Sequence, residues 1–261
     1  TSNLRVKAEL YRWILKEAQQ TNQQDWTQKT TATIKQEYRA SKDNTYKRQL
    51  LIALTEEYTN YGFLVTQVLG ASAQVLQSGA MESISLMFTR DSLKFIPEEK
   101  FSFLKQAIST KDAAVMAIAA EAMRSEAKQY RAFSPDTQFL TQAMESLDLP
   151  TEVETYIALQ RAQWELENAE RRVRYHQEYN HPIDWKLVSR VSPEATATLK
   201  TTRGDIKLAL FVEETPATVV NFIELVQKDY FDGRYFHRVV PNFVAQAGCP
   251  RGDGYGGYPT T

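Results

Sequence analysis

Cysteine is almost missing from this chain. The 261 residues include one, Cys249, so no internal disulfide can form and no multi-thiolate metal site can be assembled. Histidine is nearly as scarce. His176 and His181 are close in sequence, but Pro182 takes the backbone out of a helix there and no third ligand is near, so the pair is not read as a metal site. Charge of one sign is lacking too: 31 Lys+Arg balance 32 Asp+Glu, so no whole-chain field favours nucleic acid or an anionic membrane. No apolar run approaches the roughly 18 residues of a membrane helix, and Thr1 to Arg5 lacks the apolar centre of a signal peptide. A chain that opens on Thr is expected to be a processed or trimmed product, which leaves cytoplasmic and exported locations both open.

What is present is the composition of a globular protein, 43% hydrophobic and 24% charged, able to bury a sizeable core. Domains usually hold about 100 to 200 residues, so two are expected. Glycine and proline are sparse before Pro193, and apolar residues recur there at helical spacing. Val6, Leu10, Trp13 and Ile14 form one stripe, expected to be buried. Further helices are predicted over Tyr46 to Tyr58, Phe101 to Ile108, Ala113 to Met123, Thr137 to Ser146 and Val153 to Arg174. Lys111-Asp112 and Ser134-Pro135-Asp136 mark starts, and Gly70 and Gly79 mark breaks between helices. Trp13, Trp26, Trp164 and Trp185 are expected in core or interface packing.

A phrase recurs inside this region. Phe63-Leu64, Phe103-Leu104 and Phe139-Leu140 each open an apolar helix, 40 and then 36 residues apart, and an alanine-rich second helix follows Asp112. Such a period with two helices per unit is that of a helical solenoid, and the Asp112-Ala113-Ala114-Val115 phrase resembles HEAT repeats. An irregular bundle with chance Phe-Leu pairs is the alternative. Either way, residues 1–180 are read as all-α and without clustered catalytic groups, an interaction scaffold for a protein partner. The basic run Glu170 to His176 is interleaved with acids and reads as a solvated helix face.

Prolines at 182 and 193 end the helical pattern, so 181–194 is expected to be a linker. Beyond it the period changes. Thr196 to Thr202 and Ile206 to Phe211 alternate as a hairpin around Arg203-Gly204-Asp205. Thr215-Pro216 opens a helix whose buried stripe is Val219, Phe222, Ile223 and Val226. Tyr235 to Val239 and Phe243 to Ala247 read as two more strands. The order predicts an antiparallel sheet or barrel with a covering helix.

Four motifs then stand in order: Leu199-Lys200-Thr201-Thr202 with Gly204-Asp205-Ile206; Glu214-Thr215-Pro216 with Asn221-Phe222; Tyr230-Phe231-Asp232-Gly233; and Phe236-His237-Arg238-Val239-Val240-Pro241. Together they resemble the opening of a cyclophilin-type peptidyl-prolyl isomerase, from Ala195 to Thr261. The resemblance implies the first part of a β-barrel and rotation about X-Pro bonds in polypeptides, without metal or cofactor. It makes Arg238 the catalytic arginine, Phe243 and Val244 part of a proline-pocket wall, and Gln246 a hydrogen-bonding group for substrate backbone. Phe236 and His237 are supporting residues. Val244 replaces a common methionine, Asn242 and Ala247 stand where glycine is usual, and Cys249 stands where acids are common. The glycine-rich run Gly252 to Gly257 lacks the following helix that a phosphate cradle needs, and looks like the loop after this strand.

Such a barrier, about 18 to 20 kcal/mol, falls when the prolyl nitrogen leaves amide conjugation. A permanently charged guanidinium near that nitrogen favours the twisted form, and apolar walls that exclude water strengthen it. The resemblance ends at Thr261, less than halfway through such a domain, so a fragment of a larger protein is expected, or a different way of folding residues 195–261. The expectation is therefore an isomerase with a scaffold that binds clients and assists folding. Alternatives are a scaffold that only binds proline segments and a fragment without activity. Seven basic and seven acidic side chains in 195–261 give no reason to expect nucleic acid there.

Overall fold

The computed structural model describes residues 2–133, 136–169 and 182–258. The run Glu170 to His176, the His176 and His181 pair, residues 170–174 of the helix expected to reach Arg174, and the Ser134-Pro135 start signal lie outside them; that helix ends earlier than expected, at Glu167, where Asn168 takes a left-handed backbone. The chain forms two compact units. One contains the described residues up to 169 together with Asp253–Gly256; the other contains 182–252 with 257 and 258. No helix among the described residues is long and apolar enough to cross a membrane.

In chain order the helical unit contains α1 (Ser2–Gln20), α2 (Gln24–Ala40), α3 (Asn44–Ala53), α4 (Tyr61–Gly70), α5 (Gln74–Phe88), α6 (Pro97–Ile108), α7 (Ala113–Ser125), α8 (Ala127–Tyr130), α9 (Gln138–Glu145) and α10 (Val153–Glu167). Two short 3-10 turns, Leu54–Glu56 and Tyr58–Asn60, join α3 to α4. The three Phe-Leu phrases fall in α4, α6 and α9, and each of these helices packs on the next main helix, α5, α7 and α10. α5 also packs on α7, and α7 on α10.

Small side chains make that stacking close. Asp112 caps α7 by accepting from the Val115 amide at 3.0 Å, which orients the helix at its start. Ala113, Ala114, Ala117, Ala119 and Ala120 then bury their methyl groups among the neighbouring helices. Thr155 of α10 comes near enough to donate its hydroxyl to the Ala113 carbonyl at 3.0 Å. The core continues through Leu50, Leu54, Leu64, Met81, Ile84, Leu104, Met116 and Leu159. Asp253–Gly256 complete this unit: Ser78 Oγ donates to Asp253 Oδ2 at 3.0 Å, and Tyr255 packs on the core.

Charged groups inside the unit are paired. The Glu56 side chain, 8% exposed, accepts from Arg12 Nε at 2.8 Å and from Arg90 Nη1 and Nη2 at 2.7 and 2.8 Å. Burial pushes its pKa up, but the hydrogen bonds from Arg90 and then Arg12 outweigh burial and hold it below the ordinary 4.5. Glu37 behaves alike, with Lys7, Tyr46 and Tyr11 as donors.

Several expectations are corrected here. The Val6, Leu10 and Trp13 stripe faces outward, at 57%, 55% and 62% exposure, because α1 packs on α2 and α3 through Ala8, Leu15 and Ala18. Small residues let the helices approach, and the bulkier set is left on the far face. Trp26 and Trp185 are exposed as well, and Trp164 is half-buried. Gly70 ends α4 as expected, but Gly79 lies inside α5. A methyl group there would stand 2.8 Å from Cγ of Arg48, whose guanidinium pairs with Glu82 at 2.6 Å. The glycine is a bed for an arginine stem, not a break.

The second unit contains α11 (Trp185–Val188), β1 (Thr196–Thr201), β2 (Gly204–Ala209), α12 (Pro216–Gln227), β3 (Arg238–Val240) and β4 (Val244–Gln246). β1 and β2 pair antiparallel from Thr196 opposite Ala209 to Thr201 opposite Gly204. β3 and β4 form a second hairpin. Among the described residues these are two separate two-stranded sheets, where one continuous sheet was expected. Each closes through its own short turn. On α12, Val219 and Val220 are buried and Val226 is exposed, which turns the stripe from its expected position. Thr215 precedes the helix, but its hydroxyl donates to the Phe211 carbonyl at 3.0 Å and caps no amide.

Replacing Glu56 by Gln leaves Arg90 without its carboxylate and Arg12 with only the 4.0 Å contact to Glu9, and is expected to cost the helical unit about 1 to 3 kcal/mol, read by urea unfolding followed by circular dichroism. Because the folded pKa is lowered, the Glu56 contribution is complete above about 4.5 and is lost as the pH falls through the folded value. The Gln variant should therefore have a flatter acid limb, with Glu37 supplying what slope remains.

Candidate functional site

The β3–β4 hairpin turns through Pro241-Asn242-Phe243. Asn242 has φ +61°, a left-handed conformation that asparagine tolerates better than most side chains. The Phe243 amide then donates to the Val240 carbonyl at 3.1 Å and closes the turn. Asparagine in the expected glycine position thus keeps the backbone that position demands.

Pairing sets which residues meet. Arg238 lies opposite Gln246, Val239 opposite Ala245 and Val240 opposite Val244. Side chains alternate along a strand, so Arg238, Val240, Val244 and Gln246 share one face. On that face Arg238 Nη1 donates to Gln246 Oε1 at 3.0 Å. The arginine is exposed, so its remaining donors are open to solvent.

Of the six expected site residues, the hairpin brings together Arg238, Val244 and Gln246. Phe243 projects from the turn at 79% exposure, and Phe236 and the half-buried His237 precede β3. His237 Nδ1 is buried without a hydrogen-bond partner. Val240 was not singled out from sequence, although strand alternation from Arg238 would have found it. The Arg238 to Gln246 hydrogen bond was equally unread.

Nearby packing steadies the approach to β3. Phe222 of α12 meets Phe231 at 5.2 Å between centroids, and Arg234 lies over the Tyr230 ring at 5.1 Å while its Nε donates to the Tyr230 carbonyl. Gly248, at φ +96°, brings its backbone against the Phe231 ring, where a methyl group would stand 3.4 Å away. These contacts fix the chain on both sides of the hairpin.

This is the geometry of a segment with known relatives. Residues 196–261 match the family described as Cyclophilin type peptidyl-prolyl cis-trans isomerase/CLD. A peptidyl-prolyl cis-trans isomerase of Synechococcus elongatus is 49% identical over 61 residues, covering 23% of this chain and 42% of the relative. One from Helicobacter pylori is 49% identical over 63 residues, covering 24% and 39%. Peptidyl-prolyl isomerase cwc-27 of Neurospora crassa is 45% identical over 65 residues, covering 25% and 12%. The chain thus spans about two fifths of the length of these bacterial relatives. No solved structure matches it. The cyclophilin-type segment begins with β1 and includes both hairpins and α12.

The Asn242 turn can be tested directly. Asn242→Val forces a β-branched side chain into the left-handed region and should cost about 1 to 2 kcal/mol, seen as faster hydrogen exchange at the Phe243 amide. Asn242→Gly should leave that exchange nearly unchanged.

Proposed function

We propose that this chain is part of a peptidyl-prolyl cis-trans isomerase that turns X-Pro bonds in polypeptides, with Arg238 as the catalytic group. The observation that carries the reading is the Arg238 guanidinium, held by Gln246 yet open on the hairpin face, inside a segment that matches the cyclophilin type. Rotation about an X-Pro bond requires loss of amide conjugation, against about 18 to 20 kcal/mol. A guanidinium donor directed at the prolyl nitrogen stabilises the lone pair that appears as the nitrogen becomes pyramidal. No bond to the protein forms or breaks.

In this reading Val244 and Phe243 support the proline ring, and Gln246 both orients Arg238 and offers its amide to substrate backbone. The hydrogen bond from Arg238 occupies the Gln246 carbonyl oxygen and leaves its NH2 free to donate to a substrate carbonyl. Phe236 and His237 position the start of β3. No cofactor is needed for such a rotation.

The domain organisation proposed with it is a helical region over 1–180, a linker over 181–194 and the isomerase segment from 195. The helical region is read as a HEAT-like repeat scaffold, supported by the pairing of α4 with α5, α6 with α7 and α9 with α10, and by the contacts of α5 with α7 and α7 with α10. Its role is to bind a client or partner protein.

The full-length protein is expected to accelerate cis-to-trans relaxation of a short X-Pro peptide, and Arg238→Ala to remove most of that acceleration. Equal rates for the two proteins would overturn the assignment of Arg238. Binding of the peptide without acceleration by either would overturn the catalytic reading and leave a binding module.

A further inference from the structure

A groove of about 490 Å³ lies on the helical unit, and none of its lining residues is one discussed as catalytic. Its lining falls into two stripes. Tyr58, Tyr61 and Val65, at spacings of three and four residues, form one wall from the 3-10 turn into α4. Glu99, Ser102 and Gln106, at the same spacings, form the other wall along α6, with Glu98 beside them and Phe103 beneath. Seven residues of helix extend roughly 10 Å, the length of one long side chain or about three residues of extended peptide.

The two ends of the groove differ in chemistry. Tyr58 lies 4.9 Å from Phe95 between ring centroids, which places it at the Glu98 and Glu99 end of α6. Tyr61 continues the aromatic wall, 6.4 Å from Tyr58 at 23° and 5.8 Å from Phe103. This end is therefore aromatic and anionic. Ser102 and Gln106 at the other end offer a hydroxyl and an amide. No basic side chain lines the groove, and neither Glu98 nor Glu99 forms an ion pair among the described residues.

The fold uses Tyr61 in the ring cluster with Phe88, Phe95 and Phe103, and leaves Tyr58, Glu98 and Glu99 exposed. Tyr58 is 45% exposed although the ring cluster of Phe88, Phe95 and Phe103 behind it is well filled. Burial, and after it the negative charge of Glu99, hold the Tyr61 hydroxyl above its ordinary pKa, so the field of that carboxylate reaches into the groove. Glu98 and Glu99 stand in the first turn of α6, where they favour the helix dipole, a role that leaves the carboxylate oxygens open to a ligand.

We propose that this groove binds a lysine or arginine side chain presented by an extended polypeptide, with the cation against the Tyr58 and Tyr61 rings and the Glu98 and Glu99 carboxylates. Aromatic faces attract a cation through their quadrupoles, and paired carboxylates complement its charge. Arginine is favoured over lysine because its planar, weakly hydrated head stacks on a ring while its edge donates to a carboxylate. Ser102 and Gln106 then hydrogen-bond the backbone that carries it. The groove would give the helical unit a preference for basic segments, and it stands apart from the isomerase reading because its test reads binding alone.

The probe is a fluorescein-labelled glycine-serine peptide with one central arginine, titrated with the whole chain and followed by anisotropy at low salt. The arginine peptide should bind, the lysine peptide more weakly, and the glutamine peptide at least about tenfold more weakly than arginine. Tyr58→Ala and the Glu98→Gln, Glu99→Gln pair should each weaken arginine binding about fivefold or more, while Tyr58→Phe retains it. Circular dichroism checks that each variant keeps its helices. Equal binding of the glutamine peptide, or unchanged affinity in folded Tyr58→Ala and Glu98→Gln, Glu99→Gln proteins, would overturn the proposal and leave the carboxylates as helix-start residues only.

Discussion

Close approach to α7 is the constraint on which the helical unit depends. α5, α6, α8 and α10 all pack against this one helix, and there is room for them because so many of its inward side chains are methyl groups. The short Ala side chains cost little conformational entropy on burial, and they let backbone groups meet directly, as Thr155 does with the Ala113 carbonyl. Larger side chains at those positions would push α10 outward and uncover the layer behind it. The ionic pairs on Glu56 and Glu37 are placed at the other end of the unit, where α1 and α2 join it, so packing and paired charge divide the work between them.

Helices were legible in the sequence, and orientation was less so. The Phe-Leu phrases fall in α4, α6 and α9, each of which packs on the main helix that follows it. α1 misleads for a physical reason. Its bulky stripe and its small stripe both repeat at helical spacing, and only the presence of α2 and α3 decides that Ala8, Leu15 and Ala18 face inward. Gly79 misleads similarly. A glycine in a string of helices reads as an interruption until Arg48 is seen lying across it.

In the β3–β4 hairpin the sequence names the residues and not the contacts between them. Motif order points to Arg238, Val244 and Gln246, and antiparallel register puts them on one face of a hairpin. What the chain alone does not reveal is that Arg238 is already engaged by Gln246, since a hydrogen bond between residues eight apart depends on where the turn falls. Asn242 decides that. A turn one residue longer or shorter would move Arg238 and Gln246 to opposite faces. The acidic, aromatic groove was wholly unread, because Tyr58 and Glu98 are far apart in sequence and each has an ordinary local explanation.

The contact between Ser78 and Asp253 bears on the order of assembly. The two residues stand 175 positions apart, and Ser78 is buried in α5. Synthesis proceeds at about 5 to 20 residues per second, so α5 exists for on the order of ten seconds or longer before Asp253 emerges. The helical unit is thus completed only when residues some 175 positions beyond Ser78 have been made. During that interval the α5 surface around Ser78 lacks the cover that Asp253–Gly256 gives it.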